Sequence, residues 1–410
     1  MNISKSDVLE LRRRLKKSEC TFDRLCGCYV NSGKQVVLKF SEPFLDLEEE
    51  ESFKYLEIAK KALSGTLGNN LLELPFARSE DAAARQQFLL TLKSSKLKND
   101  DLLDRLYEQI MEQYGYPGNY LILLFHDIYD VMTKTSDHAK LDESEEVYEY
   151  LLCALCPVEL SKPGLGYRED ENRIGACPRD WMVGLPDIGF VYPAFSDRGS
   201  DVNSVMYYVK KESHPEFAEG VLGCEPQRTA AEEKTAFQSI VKQAFGEEED
   251  KADLAFLRIQ KQISGIVAEE EEDERPPVCL TPEAVNGVIA DVDMPDEVRG
   301  QIARSYTAAF GETPPPAQNL LDAKLVAEGA QREHTAQLEQ QVSTLKERLA
   351  QQGGESDSAP WDDGDAAIVL QLPPDKADRV EARVIDGQKC LLIPIENGES
   401  ARINGVSASL

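Results

Sequence analysis

Histidine is scarce in this sequence, with four residues in a chain of 410, which argues against a multi-histidine metal centre. Long apolar runs are missing as well. The longest strongly apolar stretch, Tyr120–Phe125, falls far short of the roughly 20 residues a membrane-spanning helix needs. Met1–Lys17 carries charges throughout and lacks the apolar core of a signal peptide. No P-loop, dinucleotide fingerprint or nucleophile elbow is present. Ser64-Gly65-Thr66-Leu67-Gly68 is glycine-rich, but it ends a predicted helix instead of opening one, so its amides make no phosphate nest. Basic side chains are in deficit: 45 Lys and Arg against 74 Asp and Glu give a formal net charge of −29. Such a surface repels phosphates and anionic lipid, so nucleic acid and membrane are not expected as general partners. No cofactor is implied.

Nine cysteines are an odd count and form no dense framework. Without an export signal they read as reduced thiols, and the expected location is the cytoplasm. The length is a soft indication of two or three domains.

The fold class read from the pattern is α+β: a mixed or antiparallel sheet with helices packed on one face, a helical middle region, and a small C-terminal β module. Four divisions follow from the texture: an α+β body over 1–223, a helical region with a long polar helix over 224–351, a flexible linker over 352–365 and the β module over 366–410. In the body, Ser6–Lys17 is a predicted helix with Val8, Leu11 and Leu15 at helical spacing. Its basic residues Arg12, Arg13, Arg14, Lys16 and Lys17 suit a solvated face, or a patch for an acidic partner. Predicted strands are Leu25–Val30, Gln35–Phe40, Tyr120–Phe125, Ile188–Phe195 and Val202–Val209. Tyr148–Cys156 is ambiguous between helix and strand. Glu48–Leu63, Asp81–Leu92 and Asn99–Tyr114 are predicted helices. Thr229 and Glu232 form a capping box ahead of an apolar stripe at Phe237, Ile240, Val241, Ala244 and Phe245, with Gly246 as the stop. A second helix covers Lys251–Ala268, and two short ones open at Thr281-Pro282 and Pro295. Asn319–Gln351 is predicted as the long polar helix; its seam Leu338, Val342, Leu345 and Leu349 is too short for a sustained coiled coil. In the β module, strands are predicted at Ile368–Leu372, Val380–Ile385, Lys389–Ile395 and Ala401–Val406. Asp386-Gly387 is its hairpin signal.

Two groups of residues have the makings of a site. Cys26 and Cys28 alternate on a predicted strand, Cys153 and Cys156 have Cys-x-x-Cys spacing, and Cys177 lies nearby. Four thiolates in a tetrahedron would hold a structural zinc, but the apolar setting Leu-Leu-Cys-Ala-Leu-Cys-Pro favours buried, inert thiols. His126, Asp127 and Asp130 follow a predicted strand, and Asp180, Asp187, Asp197 and Asp201 cluster downstream. Carboxylates at strand ends can hold a divalent metal that activates water; the same residues also serve turns by bonding nearby backbone amides.

The stretches Leu25–Val30 (LCGCYV), Leu63–Leu72 (LSGTLGNNLL), Gly118–Val131, Glu145–Tyr167, Arg179–Tyr208 and Val384–Ile395 (VIDGQKCLLIPI) resemble an uncharacterised bacterial domain-of-unknown-function family, number 4317, common in anaerobic gut Firmicutes. The resemblance covers most of the body and the C-terminal module and implies no activity, substrate or catalytic residue. The function expected is therefore a non-enzymatic cytoplasmic interaction or regulatory protein with a protein partner. A metal-dependent hydrolase on the Asp/His cluster and a zinc-stabilised binding protein on the cysteines are the alternatives.

Overall fold

The computed structural model describes residues 3–134, 140–272, 277–331, 380–385, 388–392, 401–403 and 406–408. They fall into two units, Met1–Glu333 and His334–Leu410.

In the first unit the strands are β1 (Phe22–Val30), β2 (Val36–Pro43), β3 (Leu71–Pro75), β4 (Asn119–Lys134), β5 (Lys140–Leu160), β6 (Leu165–Arg168), β7 (Arg173–Ala176), β8 (Trp181–Val183), β9 (Ile188–Tyr192), β10 (Ala194–Ser196), β11 (Gly199–Asp201) and β12 (Ser204–Val209). Eight of them form one sheet in the order β2-β1-β4-β5-β9-β12-β3, with β8 on β5. Every pairing in it is antiparallel. The segment Tyr148–Cys156, undecided from sequence, lies inside β5. β4 extends well beyond the predicted Tyr120–Phe125. The predicted strand Ile188–Phe195 divides into β9 and β10 at Pro193, which has no N–H to give to a ladder.

The helices are α1 (Lys5–Arg14), α2 (Glu49–Ala62), α3 (Glu80–Ser94), α4 (Asp100–Gln113), α5 (Pro215–Phe217), which runs on into a wide turn at Ala218–Leu222, α6 (Ala230–Phe245), α7 (Glu249–Glu272), α8 (Pro282–Ala290), α9 (Asp296–Phe310) and α10 (Ala317–Leu320). α3, α4 and α5 cover one sheet face, where Cys26, Ile122, Leu124, Cys153, Leu155, Phe190 and Tyr207 are buried. α1 and α2 cover the other, over Leu25, Leu123, Phe125, Leu152, Ala154, Val191 and Met206. The expectation of helices on one face is thus corrected. The central strands read as unbroken apolar runs because both of their faces are covered, as in buried sheets generally.

Local signals act as the sequence suggests at several helix ends. Ser4 and Asp7 close a capping box on α1, and Thr229 and Glu232 close one on α6. Gly246 follows α6 at φ 62°, a left-handed conformation that glycine takes at little cost. α6 to α10 enclose a third core of Phe237, Phe256, Ile259, Ile302, Tyr306 and Phe310. The expected helix from Asn319 is interrupted: α10 ends at Leu320, Leu321 is extended, and the helix resumes over 323–331. Gln260 bridges this break, donating to Leu320 O at 2.9 Å and accepting from Asp322 N at 2.6 Å.

The second unit contributes two antiparallel hairpins. β13 (Glu381–Ile385) pairs with β14 (Gln388–Leu392) on either side of Asp386-Gly387. The predicted strand Ala401–Val406 is instead a tighter hairpin, β15 (Ala401–Ile403) with β16 (Val406–Ala408). The heptad seam at Leu338–Leu349, the linker 352–365 and the predicted strand Ile368–Leu372 lie outside the described residues.

One close approach sets how α2 sits on the sheet. A Cβ at Gly189 would come 2.9 Å from the Cys153 carbonyl oxygen and 3.0 Å from Ala62 Cβ. Gly189→Ala is therefore expected to destabilise the fold by about 1–3 kcal/mol through overpacking. Urea unfolding checks this, and an unchanged midpoint would contradict the packing described.

Candidate functional site

β-strand alternation decides where the cysteines go. Residues three apart on a strand face opposite sides. Cys153 therefore enters the core under α3 and α4, and Cys156 the core under α1 and α2. The Cys-x-x-Cys spacing is thus not a chelating pair on β5. Cys26 and Cys28 share the first face; the Cys26 thiol donates to Ser41 Oγ at 3.3 Å and to Leu97 O at 3.6 Å. Burial pushes the Cys28 thiol up to about 11 and raises Cys26 and Cys153 as well. Thiols held protonated in this way are poor nucleophiles and poor metal ligands. Cys177 is exposed, away from these buried sulfurs.

The same alternation separates His126 from Asp127. His126, 0% exposed, lies on the α3 face, where Nδ1 is 2.6 Å from Asp23 Oδ1 and Nε2 is 3.0 Å from Glu149 Oε1. The register of β1 against β4 slips between Phe22 and Arg24, and this irregularity re-aims Asp23 toward the ring. A carboxylate only accepts, so the bond to Glu149 is one that the ring donates from Nε2. Lys93 Nζ completes the cluster 3.2 Å from Glu149 Oε2. Burial raises the Glu149 carboxyl, but the hydrogen bonds from His126 and Lys93 outweigh it and hold the carboxyl below its ordinary value of 4.5. Asp127, 2% exposed, faces α1 and accepts from Thr21 Oγ at 2.6 Å, Tyr150 OH at 2.7 Å and Arg14 Nη1 at 3.4 Å. Arg14 also stacks 3.7 Å over the Tyr129 ring. This residue, expected on a solvated face, is a half-buried tether between α1 and the sheet.

The remaining acids scatter. Asp130 is exposed on β4. Asp180 exchanges backbone and side-chain bonds with Ser161. Asp197 occupies the β10–β11 turn at φ 49°, and Asp201 accepts from Asn203 N and Ser204 Oγ at 2.9 and 2.7 Å. Asp187 accepts from Lys210 Nζ at 2.8 Å on the wall of an open groove of about 240 Å3 shared with Tyr114, Tyr116, Glu212 and His214. Among the described residues, no three of His, Cys, Asp and Glu converge to hold a metal ion.

The feature that sequence reasoning missed is a β-ribbon. The ladder Val158↔Val183 to Leu160↔Trp181 continues through Ser161 N to Asp180 O (2.8 Å) and Cys177 N to Gly164 O (2.9 Å). It ends in the hairpin β6–β7, paired Leu165↔Ala176 to Arg168↔Arg173. Val158 is buried at its root. Beyond it Leu160, Leu165, Tyr167, Ile174, Trp181, Met182, Val183 and Leu185 stand 37% to 77% exposed. On the hairpin, Leu165, Tyr167 and Ile174 share one face, while Gly166, Gly175 and two arginines make up the other. The glycines at alternate positions hid these strands, because glycine weakens a strand pattern. The cue was the apolar Leu165/Tyr167 and Ile174/Ala176 alternation around Glu169–Asn172, a turn in which Asn172 takes φ 47°.

Residues 1–406 match the family described as a domain of unknown function, DUF4317. The chain belongs to this family. No curated protein matches it. The described part of the first unit thus combines a sheet whose centre is covered on both faces with a ribbon that leaves that cover. Among its described residues, no helix is long and apolar enough to cross a membrane.

The His126 cluster gives a pH test. The Glu149 carboxyl is lowered in the folded state, so its stabilisation is present above the unfolded carboxylate pKa and is lost as pH falls through the lower folded value. Glu149→Gln also leaves His126 and Lys93 without their charged acceptor. It should cost about 1–3 kcal/mol at neutral pH, and the difference from wild type should shrink as pH falls below the ordinary carboxyl value of 4.5. Urea midpoints across that range check both; a constant difference would contradict the assignment.

Proposed function

We propose that this DUF4317 chain is a non-enzymatic cytoplasmic interaction protein, and that its contact element is the ribbon Val158–Val183. One observation carries this reading: a two-stranded ribbon leaves the covered sheet with large apolar side chains open to water. An isolated two-stranded ribbon is marginally stable in water, and exposed apolar patches on soluble proteins mark contact sites. A protein partner that covers those side chains would supply the missing burial. The cytosolic assignment is supported by Cys26, Cys28, Cys153, Cys156 and Cys224, which are buried free thiols. The net charge of −29 weighs against nucleic acid as the partner. The hydrolase reading draws no support from the geometry, since His126 and Asp127 face opposite sides of the sheet and each is saturated by protein groups.

The test uses tagged full-length protein in its native host. Wild type is compared with the double variant Ile174→Glu, Trp181→Glu. Both positions are exposed, so stability should stay within about 0.5 kcal/mol of wild type. Quantitative co-purification should show the proteins held by wild type lost from the variant. An identical set of co-purified proteins on both would contradict the proposal.

A further inference from the structure

We infer that the occupant of the ribbon is a second copy of this chain, paired through the free edge of β8 about a two-fold axis at Met182. This inference rests on the docking role proposed for the ribbon, and three observations favour a second copy.

The first is the edge itself. β8 pairs with β5 alone among the described strands. Gly184 N donates inward to Pro157 O at 2.8 Å. Backbone groups alternate along a strand, so the N–H and C=O of Trp181 and Val183 point away from β5. Two such edges related by a two-fold axis run antiparallel by necessity. With the axis at Met182, Trp181 of each copy meets Val183 of the other, and both pairs exchange backbone bonds. An isologous contact needs this self-complementarity.

The second is charge. Two molecules of net charge −29 repel wherever their general surfaces meet. The segment Leu160–Leu185 is locally neutral, because Lys162, Arg168, Arg173 and Arg179 balance Glu169, Asp170, Glu171 and Asp180. A copy can approach this segment without net repulsion. A strongly basic partner gains nothing by choosing it over the acidic remainder.

The third is the match of side chains at the seam. Trp181, Met182 and Val183 are 43% to 58% exposed. With the axis at Met182, Trp181 of each copy lies against Val183 of the other and the two Met182 side chains face each other, so the contact is made of apolar cross-strand pairs.

The experiment is sedimentation velocity of the full chain from about 1 to about 100 µM, for wild type, Val183→Pro and Trp181→Glu. Val183→Pro removes an outward N–H and leaves the β5 ladder its donors. Trp181→Glu tests the side-chain pair at the seam without removing a backbone donor. The expected result is a concentration-dependent dimer for wild type and at least a tenfold weaker association for both variants, with far-UV circular dichroism unchanged. If Val183→Pro disturbs the fold, Trp181→Glu alone decides. A wild-type chain that stays monomeric at about 100 µM overturns the inference, as does a dimer that Trp181→Glu leaves intact. Loss of co-purified partners in the ribbon double variant, seen alongside a monomeric wild type, would overturn only the second copy as occupant and leave the docking role standing.

Discussion

Strands β4 and β5 pair antiparallel, and the architecture of the first unit depends on their central stretch, 121–125 against 151–155, being covered on both faces. A central strand in that position has no wet side. Its apolar residues fill two cores, each buried side chain contributing roughly 1.5–3 kcal/mol. Its polar residues survive there only with partners. His126 takes Asp23 and Glu149 on one face; Asp127 takes Thr21, Tyr150 and Arg14 on the other. These clusters fasten α3 and α1 to the sheet, and a buried polar group left unpaired would cost more than the bond it makes is worth. Two adjacent residues that resemble half of a metal site are thereby committed to opposite sides of a wall.

The same constraint marks where the cover ends. Val158 is the last buried position of β5. After it the chain keeps its partner strand but loses its covering helices, and the backbone pairing alone carries the ribbon out to Arg168↔Arg173. Hydrogen bonds net little against water, so the exposed apolar residues on this ribbon are energetically costly. The charge pattern sharpens the point. Acidic side chains keep the rest of the surface apart from other molecules of its kind, while the ribbon is locally neutral.

Much of the fold was legible from residues alone. The α+β class, the caps at Thr229 and Gly246 and the hairpin around Asp386-Gly387 all follow from short-range chemistry; that the sheet is antiparallel and not mixed does not. What was not legible depends on contacts distant in sequence. The apolar run Tyr120–Phe125 shows a buried strand, but it cannot show that α1 and α2 cover one side and α3 to α5 the other. Cys153 and Cys156 look like a pair until the strand assignment sends them apart. Arg14 reads as a surface cation until Tyr129 and Asp127 meet it across the sheet. The ribbon was hidden because Gly166 and Gly175 dilute its pattern, although its other face, with Leu165, Tyr167 and Ile174, is apolar.

Native-state hydrogen exchange tests most directly the claim that cover on both faces, and its end at Val158, organises this protein. In dilute solution the slowest amides should lie in 121–125 and 151–155, exchanging only through global unfolding, while amides of 165–176 exchange through local opening. Protection at 181 and 183 should rise with protein concentration. Amides of 165–176 as slow as those of 121–125 in dilute solution would contradict the account.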